Sequence, residues 1–239
     1  LLGGLDASDA RTVTQLLERV RPDLVINAVG IVKQLADAKA AIPSIQVNSL
    51  WPHLVAEACE RVDARLVHVS TDCVFSGARG NYREDDLPDA TDLYGRSKLL
   101  GEVVDRANAV TLRTSIIGWQ FGDPTGLVGW FAAHRSESLR GYTHAVFSGL
   151  TTRALTEVIR DVVVPDEELR GLWHVSAAPI DKFSLLTQLA ATLGWPIDLT
   201  PVAEPVIDRS LDSTRFRERT GWAPPSWETM LTQLAAEWA

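Results

Sequence analysis

Short apolar strands recur between helical stretches through the first half of the chain, and this alternation restricts the fold more than any other feature of the 239 residues. Ser8 is placed to cap a helix with Val13, Leu16, Leu17 and Val20 on its apolar face, and Pro22 in RPDLVINAVG stops that helix before a buried strand at Leu24 to Asn27. A second helix is predicted from about Ser44 to Val62, with Pro52 as an internal irregularity, leading into the strand ARLVHVS. A long polar loop, a helix carrying Tyr94 and the strand AVTLRTSIIG follow. Parallel strands with right-handed helical crossovers are the expected outcome, and in such sheets ligands lie beyond the carboxyl ends of the strands. Asn27, Ser70 to Asp72 and Arg113 to Ser115 fall at or near those ends.

After Trp119 the pattern changes. Strands become shorter and weaker, as in HAVFSG and GLWHVS, while RALTEVIRDVV, KFSLLTQLAATLG and WETMLTQLAAEWA keep helical spacing. The fold expected is α/β, a doubly wound parallel sheet over 1–118 with a smaller α+β portion over 119–239, some elements of which return to the sheet. A hydrophobic content of 46% is enough for a sizeable core, and a net charge of -8 argues against nucleic acid or an anionic membrane as partner. No apolar run is long enough to span a bilayer, and LLGGLDASDA lacks the basic start and apolar stretch of a signal peptide, so the cytoplasm is expected. Cys59 and Cys73 are too few for a disulfide framework or a zinc site, and no metal is expected; Cys59 lies in an apolar helical stretch and reads as core.

Chemistry concentrates in DLYGRSKLLGE, residues 92 to 102. Tyr94 and Lys98, at i and i+4, project from one helix face, so an ammonium can sit close to a phenol, favour the phenolate and make the tyrosine a better acid near neutral pH. Such a pair suits a reaction in which a carbonyl oxygen gains or loses a proton. Alone, the spacing is common on exposed helices, and the surroundings must decide. Here VINAVG and VHVSTDCVFSG bring two further strand ends toward the same place.

With RPDLVINAVG, HVSTDCVFSGARGNYREDDLPDATDLYGRSKLLGE, LRTSIIG and DRSLDSTRFRERTGW, the sequence resembles the extended short-chain dehydrogenase/reductase family, in its dTDP-4-dehydrorhamnose reductase branch. The resemblance implies a Rossmann-type sheet, an NAD(P)-dependent oxidoreductase, NADPH or NADH as cofactor, and a catalytic set of Thr71, Tyr94 and Lys98. Thr71 would donate to the substrate carbonyl oxygen, Tyr94 would protonate it, and Lys98 would hold a nicotinamide ribose. The cofactor would run along Asn27, Ala28, Val29 and Gly30 and past Ser70, Tyr94 and Lys98; without it, NAVG reads as a plain strand-to-loop turn with Gly30 at positive φ. Asn48 matches a family Asn that orders the active-site backbone, against the alternative of a solvent-facing helix residue. The implied substrate side comprises Thr71, Asp72, Cys73, Ile116, Thr151, Thr152 and Arg209, with Arg209 either meeting a nucleotide diphosphate or pairing with Asp208 or Asp212. A possible homodimer completes the implied picture.

Several positions depart from the family pattern. Cys73 and Ile116 stand where relatives carry aromatic residues near the sugar, and Trp119 either substitutes from nearby or belongs to the core. No glycine-rich phosphate turn precedes Asp6, so LLGGLDASDA reads as the exit from a third strand, with two N-terminal βα units expected to be missing from this sequence. The expected function is reduction of the 4-keto group of a dTDP- or UDP-linked 6-deoxy sugar in the synthesis of surface-polysaccharide precursors. The alternatives are an epimerase or dehydratase of the same family, for which Glu84, Asp85 and Asp86 could supply acid/base groups, and a non-catalytic regulatory subunit.

Overall fold

The computed structural model describes residues 9–32, 40–120 and 126–238; the LLGG segment and Asp6 lie outside them. In chain order the elements are α1 (Ala10–Val20), β1 (Leu24–Asn27), α2 (Ala41–Ser44), α3 (Trp51–Val62), β2 (Arg65–Thr71), α4 (Leu93–Leu100), β3 (Ala109–Thr114) and β4 (Ile116–Ile117). They continue with α5 (Leu127–Ala133), β5 (Leu139–Tyr142), β6 (Ala145–Phe147), β7 (Leu150–Thr151), α6 (Thr152–Val158), β8 (Gly171–His174), β9 (Ile180–Asp181) and α7 (Lys182–Leu193). The chain closes with β10 (Leu199–Val202), β11 (Ile207–Asp208), α8 (Thr214–Thr220) and α9 (Trp227–Ala236). It forms two compact units, one from the described residues of 1–74, 87–113 and 167–173, the other from those of 75–86, 114–166 and 174–239. The chain passes from one unit to the other several times.

The first unit holds the expected α/β sheet, in the order β1-β2-β3-β8. β1 runs parallel to β2 with Leu24 opposite Arg65 and Asn27 opposite His68. α1 is capped by Asp9, whose carboxylate accepts from Arg11 N–H at 3.0 Å; Ser8, named as a cap from the sequence, lies outside the described residues. Arg21, left-handed at φ 48°, ends the helix just before Pro22. Val13 and Leu17 of α1 pack with Trp51, Val55, Cys59 and Val62 of α3 and with Leu66 of β2. Cys59 is a core residue as expected; burial pushes its thiol up to about 12, which leaves it without a thiolate at neutral pH.

The predicted helix from Ser44 to Val62 begins three residues earlier, at Ala41, and its irregular part lies before Pro52. Ile45–Leu50 take π geometry, and Trp51 N–H reaches Gln46 O. Pro52 has no N–H for a partner one turn back, and the wider turn before it accommodates that loss. Asn48 and Ser49 in this stretch are buried.

α4 starts at Asp92, whose carboxylate accepts from Gly95 N–H at 2.8 Å. Gly95 is required by close approach, since a Cβ there would lie 2.2 Å from Cys73 O and 2.6 Å from the Ala90 Cβ. Gly95→Ala is therefore expected to cost about 1–3 kcal/mol, typical of overpacking, and to move the turn that carries Tyr94. Urea unfolding is the check, and an unchanged midpoint would contradict the stated contact.

The second unit has the mixed pairing of an α+β fold. β4 pairs with β7 and β10 with β5 in parallel, while β6 pairs in parallel with β11 and antiparallel with β9. Its core includes Phe131, Leu150, Leu185, Leu186, Leu189 and Met230, all fully buried. Trp119 belongs to this packing: its indole N–H donates to Leu234 O at 2.7 Å and its ring lies 4.5 Å from that of Trp238.

Candidate active site

β2 ends at Thr71 and runs directly into a 3-10 turn, Asp72–Val74, which fixes the Thr71 side chain at the carboxyl end of the strand. The Thr71 hydroxyl accepts from Cys73 N–H at 3.1 Å and donates to Asp72 Oδ1 at 3.2 Å. Thr71 and Asp72 are buried, Cys73 half-buried. Tyr94, half-buried in the first turn of α4, hydrogen-bonds through its phenol to the Thr71 side chain. The turn-stabilising role of Thr71 and its place beside the phenol thus coexist.

Lys98, one turn along α4, is buried and donates from Nζ to Val69 O at 3.0 Å. Burial lowers its pKa to about 8, against the pull of Glu102. A Cβ at Gly30 would lie 3.9 Å from Lys98 Nζ and 3.3 Å from Asn48 Oδ1. Gly30 does not take positive φ, so close approach and not a left-handed turn is what favours glycine here. Asn48 is buried and orders the backbone: Oδ1 accepts from Ile31 N–H at 2.8 Å, and Nδ2 donates to Ile31 O at 3.0 Å and Ser97 Oγ at 3.2 Å.

The phenol's acidity differs from the expectation. Burial pushes the Tyr94 pKa well above its ordinary value, the neighbouring Cys73 adds to this, and the Thr71 hydrogen bond pulls only partly the other way. Lys98 shares the helix face but directs its ammonium to Val69 O, and desolvation of the phenolate dominates the phenol's acidity. The tyrosine is accordingly a loaded proton donor, protonated throughout the neutral range.

Two buried networks escaped the sequence reading. Arg113 of β3 makes a bidentate pair with Glu102, Nε to Oε1 and Nη2 to Oε2 both at 2.8 Å, and Ser70 Oγ donates to Glu102 Oε1 at 2.7 Å. The available signal was Arg113 inside an apolar strand, since a buried guanidinium requires a carboxylate partner. Across β1 and β2, Asn27 Nδ2 meets His68 Nδ1 at 3.1 Å, and Asn27 Oδ1 accepts from Val29 N–H at 3.2 Å. Burial depresses the His68 pKa to about 3, and Lys98 lowers it further. Ala28 and Val29 are exposed beyond this pair.

The remaining residues named from the sequence lie in the second unit. Ile116 is exposed on β4. Thr151 is buried and caps α6 by accepting from Ala154 N–H at 3.3 Å, so of the two threonines only Thr152 is exposed. Arg209 Nε donates to Phe75 O at 2.9 Å, and neither Asp208 nor Asp212 takes up its guanidinium: Asp208 accepts from Ser210 N–H at 2.8 Å and Asp212 faces Arg83 at 3.4 Å. Glu84 accepts from His174 N–H at 2.9 Å and Asp86 is held by Arg79 and by Arg83 N–H, so these acids are engaged in local structure. Among the described residues no group of three or more His, Cys, Asp or Glu could hold a metal ion, and no helix is long and apolar enough to cross a membrane.

A parallel α/β sheet with Thr71 at a strand end facing Tyr94, and Lys98 one helical turn beyond, defines the extended short-chain dehydrogenase/reductase class. Within it the chain belongs to the RmlD substrate binding domain family, whose model it matches over residues 3–239. It is 28% identical over 245 residues to the spore coat polysaccharide biosynthesis protein SpsK of Bacillus subtilis, covering 98% of this chain and 86% of that one. It is 32% identical over 182 residues to a probable low-salt glycan biosynthesis reductase, Agl14, of Haloferax volcanii, covering 72% of this chain but 60% of that relative's length. The fold matches the crystal structure of dTDP-4-dehydrorhamnose reductase from Bacillus anthracis in complex with NADP, with a TM-score of 0.86 and 22% identity, covering 98% of this chain and 87% of that one.

Proposed function

We propose that this chain is an NAD(P)H-dependent reductase of the 4-keto group of a nucleotide-linked 6-deoxy sugar, dTDP- or UDP-linked, in surface-polysaccharide precursor synthesis. The observation that carries the reading is the placing of Tyr94 in the first turn of α4 and of Lys98 one turn on, beside Thr71 at the carboxyl end of β2. To polarise the substrate's carbonyl oxygen, the Thr71 hydroxyl turns its one proton from Asp72 Oδ1 to that oxygen, and Tyr94 delivers its proton to the same oxygen as negative charge develops there. Asp72 and Cys73, on the turn after Thr71, meet the sugar. In the second unit Thr152, an exposed residue whose hydroxyl donates to Ile117 O at 3.4 Å, offers its oxygen as an acceptor, Ile116 an apolar contact, and Arg209 terminal amino groups suited to a diphosphate.

The residues present fit a dinucleotide. Among the described residues the buried Lys98 ammonium makes one hydrogen bond, to Val69 O, and an ammonium has three donors, so two are available there for ribose hydroxyls. The Asn27 to Gly30 turn offers exposed backbone beside it, with no side chain at Gly30 to intrude. NADPH or NADH, when bound, supplies the hydride. Cys59 and Cys73 are both thiols, which suits a reducing cytoplasm, and a homodimer is the assembly to be tested by sedimentation. NADPH oxidation with a panel of nucleotide-linked 4-keto sugars tests the reading: turnover of at least one is expected, and a protein that binds cofactor yet reduces none would overturn it.

A pH dependence follows from Lys98. Its folded pKa of about 8 lies below the ordinary 10.5, so its contribution to stability is complete above 10.5 and is lost as pH falls through about 8. Cofactor affinity runs the other way, because the ammonium is the binding form. The NADPH dissociation constant is expected to rise as pH is raised through about 8 in the wild type, whereas Lys98→Met should bind weakly at every pH. A wild-type affinity independent of pH would remove the ammonium from the binding site.

A further inference from the structure

We infer that His68 is a positioning residue: its unprotonated Nδ1 holds the Asn27 amide, and through that amide it sets the Asn27 to Gly30 turn for the cofactor. The inference rests on the cofactor reading above and adds a residue to it. His68 and Asn27 face each other in register across β1 and β2, both buried. The Asn27 amide has only one orientation that serves both its contacts, because Oδ1 takes the Val29 N–H at 3.2 Å and Nδ2 is therefore the atom 3.1 Å from His68 Nδ1. An amide NH₂ only donates, so in this contact Nδ1 accepts and the ring proton sits on Nε2, against the Asn27 backbone, which favours a protonated ring. Among the described residues that proton finds no partner: His68 Nε2 is buried and unbonded. A buried histidine kept in the tautomer that leaves its own N–H unsatisfied incurs a desolvation cost for the sake of the Nδ1 contact. What the contact secures is the amide orientation that closes the turn from Asn27 to Val29.

The test compares His68→Leu, which fills similar space without an acceptor, with His68→Asn, whose side-chain oxygen can take the place of Nδ1. His68→Leu is expected to raise both the NADPH dissociation constant and KM for NADPH roughly tenfold, the effect of about one buried hydrogen bond, with kcat changed less than about twofold. His68→Asn should recover most of that affinity, a rescue that a merely space-filling role would not give. If His68→Leu fails to fold, NMR nitrogen shifts of the wild-type imidazole decide instead: the neutral Nε2-protonated tautomer supports the inference and the Nδ1-protonated one overturns it. Equal NADPH affinity in wild type and His68→Leu would overturn the role of His68 alone. A wild-type protein that binds neither NADPH nor NADH would overturn the cofactor reading itself, and this inference with it.

Discussion

Tyr94→Phe is expected to lower kcat by about 10²- to 10⁴-fold, the range contributed by a positioned proton donor, while the fold and NADPH binding stay near wild type. The substitution keeps the ring and removes the hydroxyl that bonds Thr71. Were that hydroxyl only structural, its loss would cost about 0.5–1.5 kcal/mol of stability and leave turnover alone. A rate loss of two or more orders with an unshifted melting curve therefore separates chemistry from packing. Because burial holds the phenol protonated well past its ordinary range, Tyr94 should set no alkaline limit between pH 7 and 9, and any limit near 8 should belong to Lys98. Wild-type turnover in Tyr94→Phe would remove Tyr94 from the mechanism.

Much of this was readable in the sequence, for definite reasons. The β1 and β2 strands were legible because runs such as LVIN and RLVHVST stand between helical periods and turn signals, and tertiary packing did not override them. Thr71, Tyr94 and Lys98 were legible because strand-end position and helical spacing are local properties. The cap at Asp9 was not legible because Ser and Asp are equally good caps on type alone, and the bond from Arg11 N–H to Asp9 is set only in the fold. β5, β10 and β11 gave no usable signal: they are two to four residues long and their partners are distant in sequence. The phenol's raised pKa was illegible for another reason. Spacing tells which groups share a helix face, whereas desolvation depends on every element packed around them.

The Glu102 and Arg113 pair is expected to give the largest stability effect in the molecule. Their side chains are 4% and 3% exposed, so Arg113→Met leaves Glu102 as a buried charge without its partner, and such losses cost about 3–5 kcal/mol. Ser70 keeps an acceptor in that variant, but the carboxylate loses both guanidinium bonds. The double variant Glu102→Leu with Arg113→Met removes both charges together and should recover most of the loss, since apolar replacement of a buried pair is often near neutral. Stability and function then part company. Glu102 raises the Lys98 pKa against the effect of burial, so in the double variant Lys98 should titrate below about 8 and cofactor affinity should begin to fail at a lower pH. Urea unfolding and NADPH titration across pH measure the two consequences separately. A double variant as unstable as Arg113→Met would mean that the network's geometry, and not its unpaired charge, holds α4 in place; an unmoved titration would mean that Glu102 does not set the charge of Lys98.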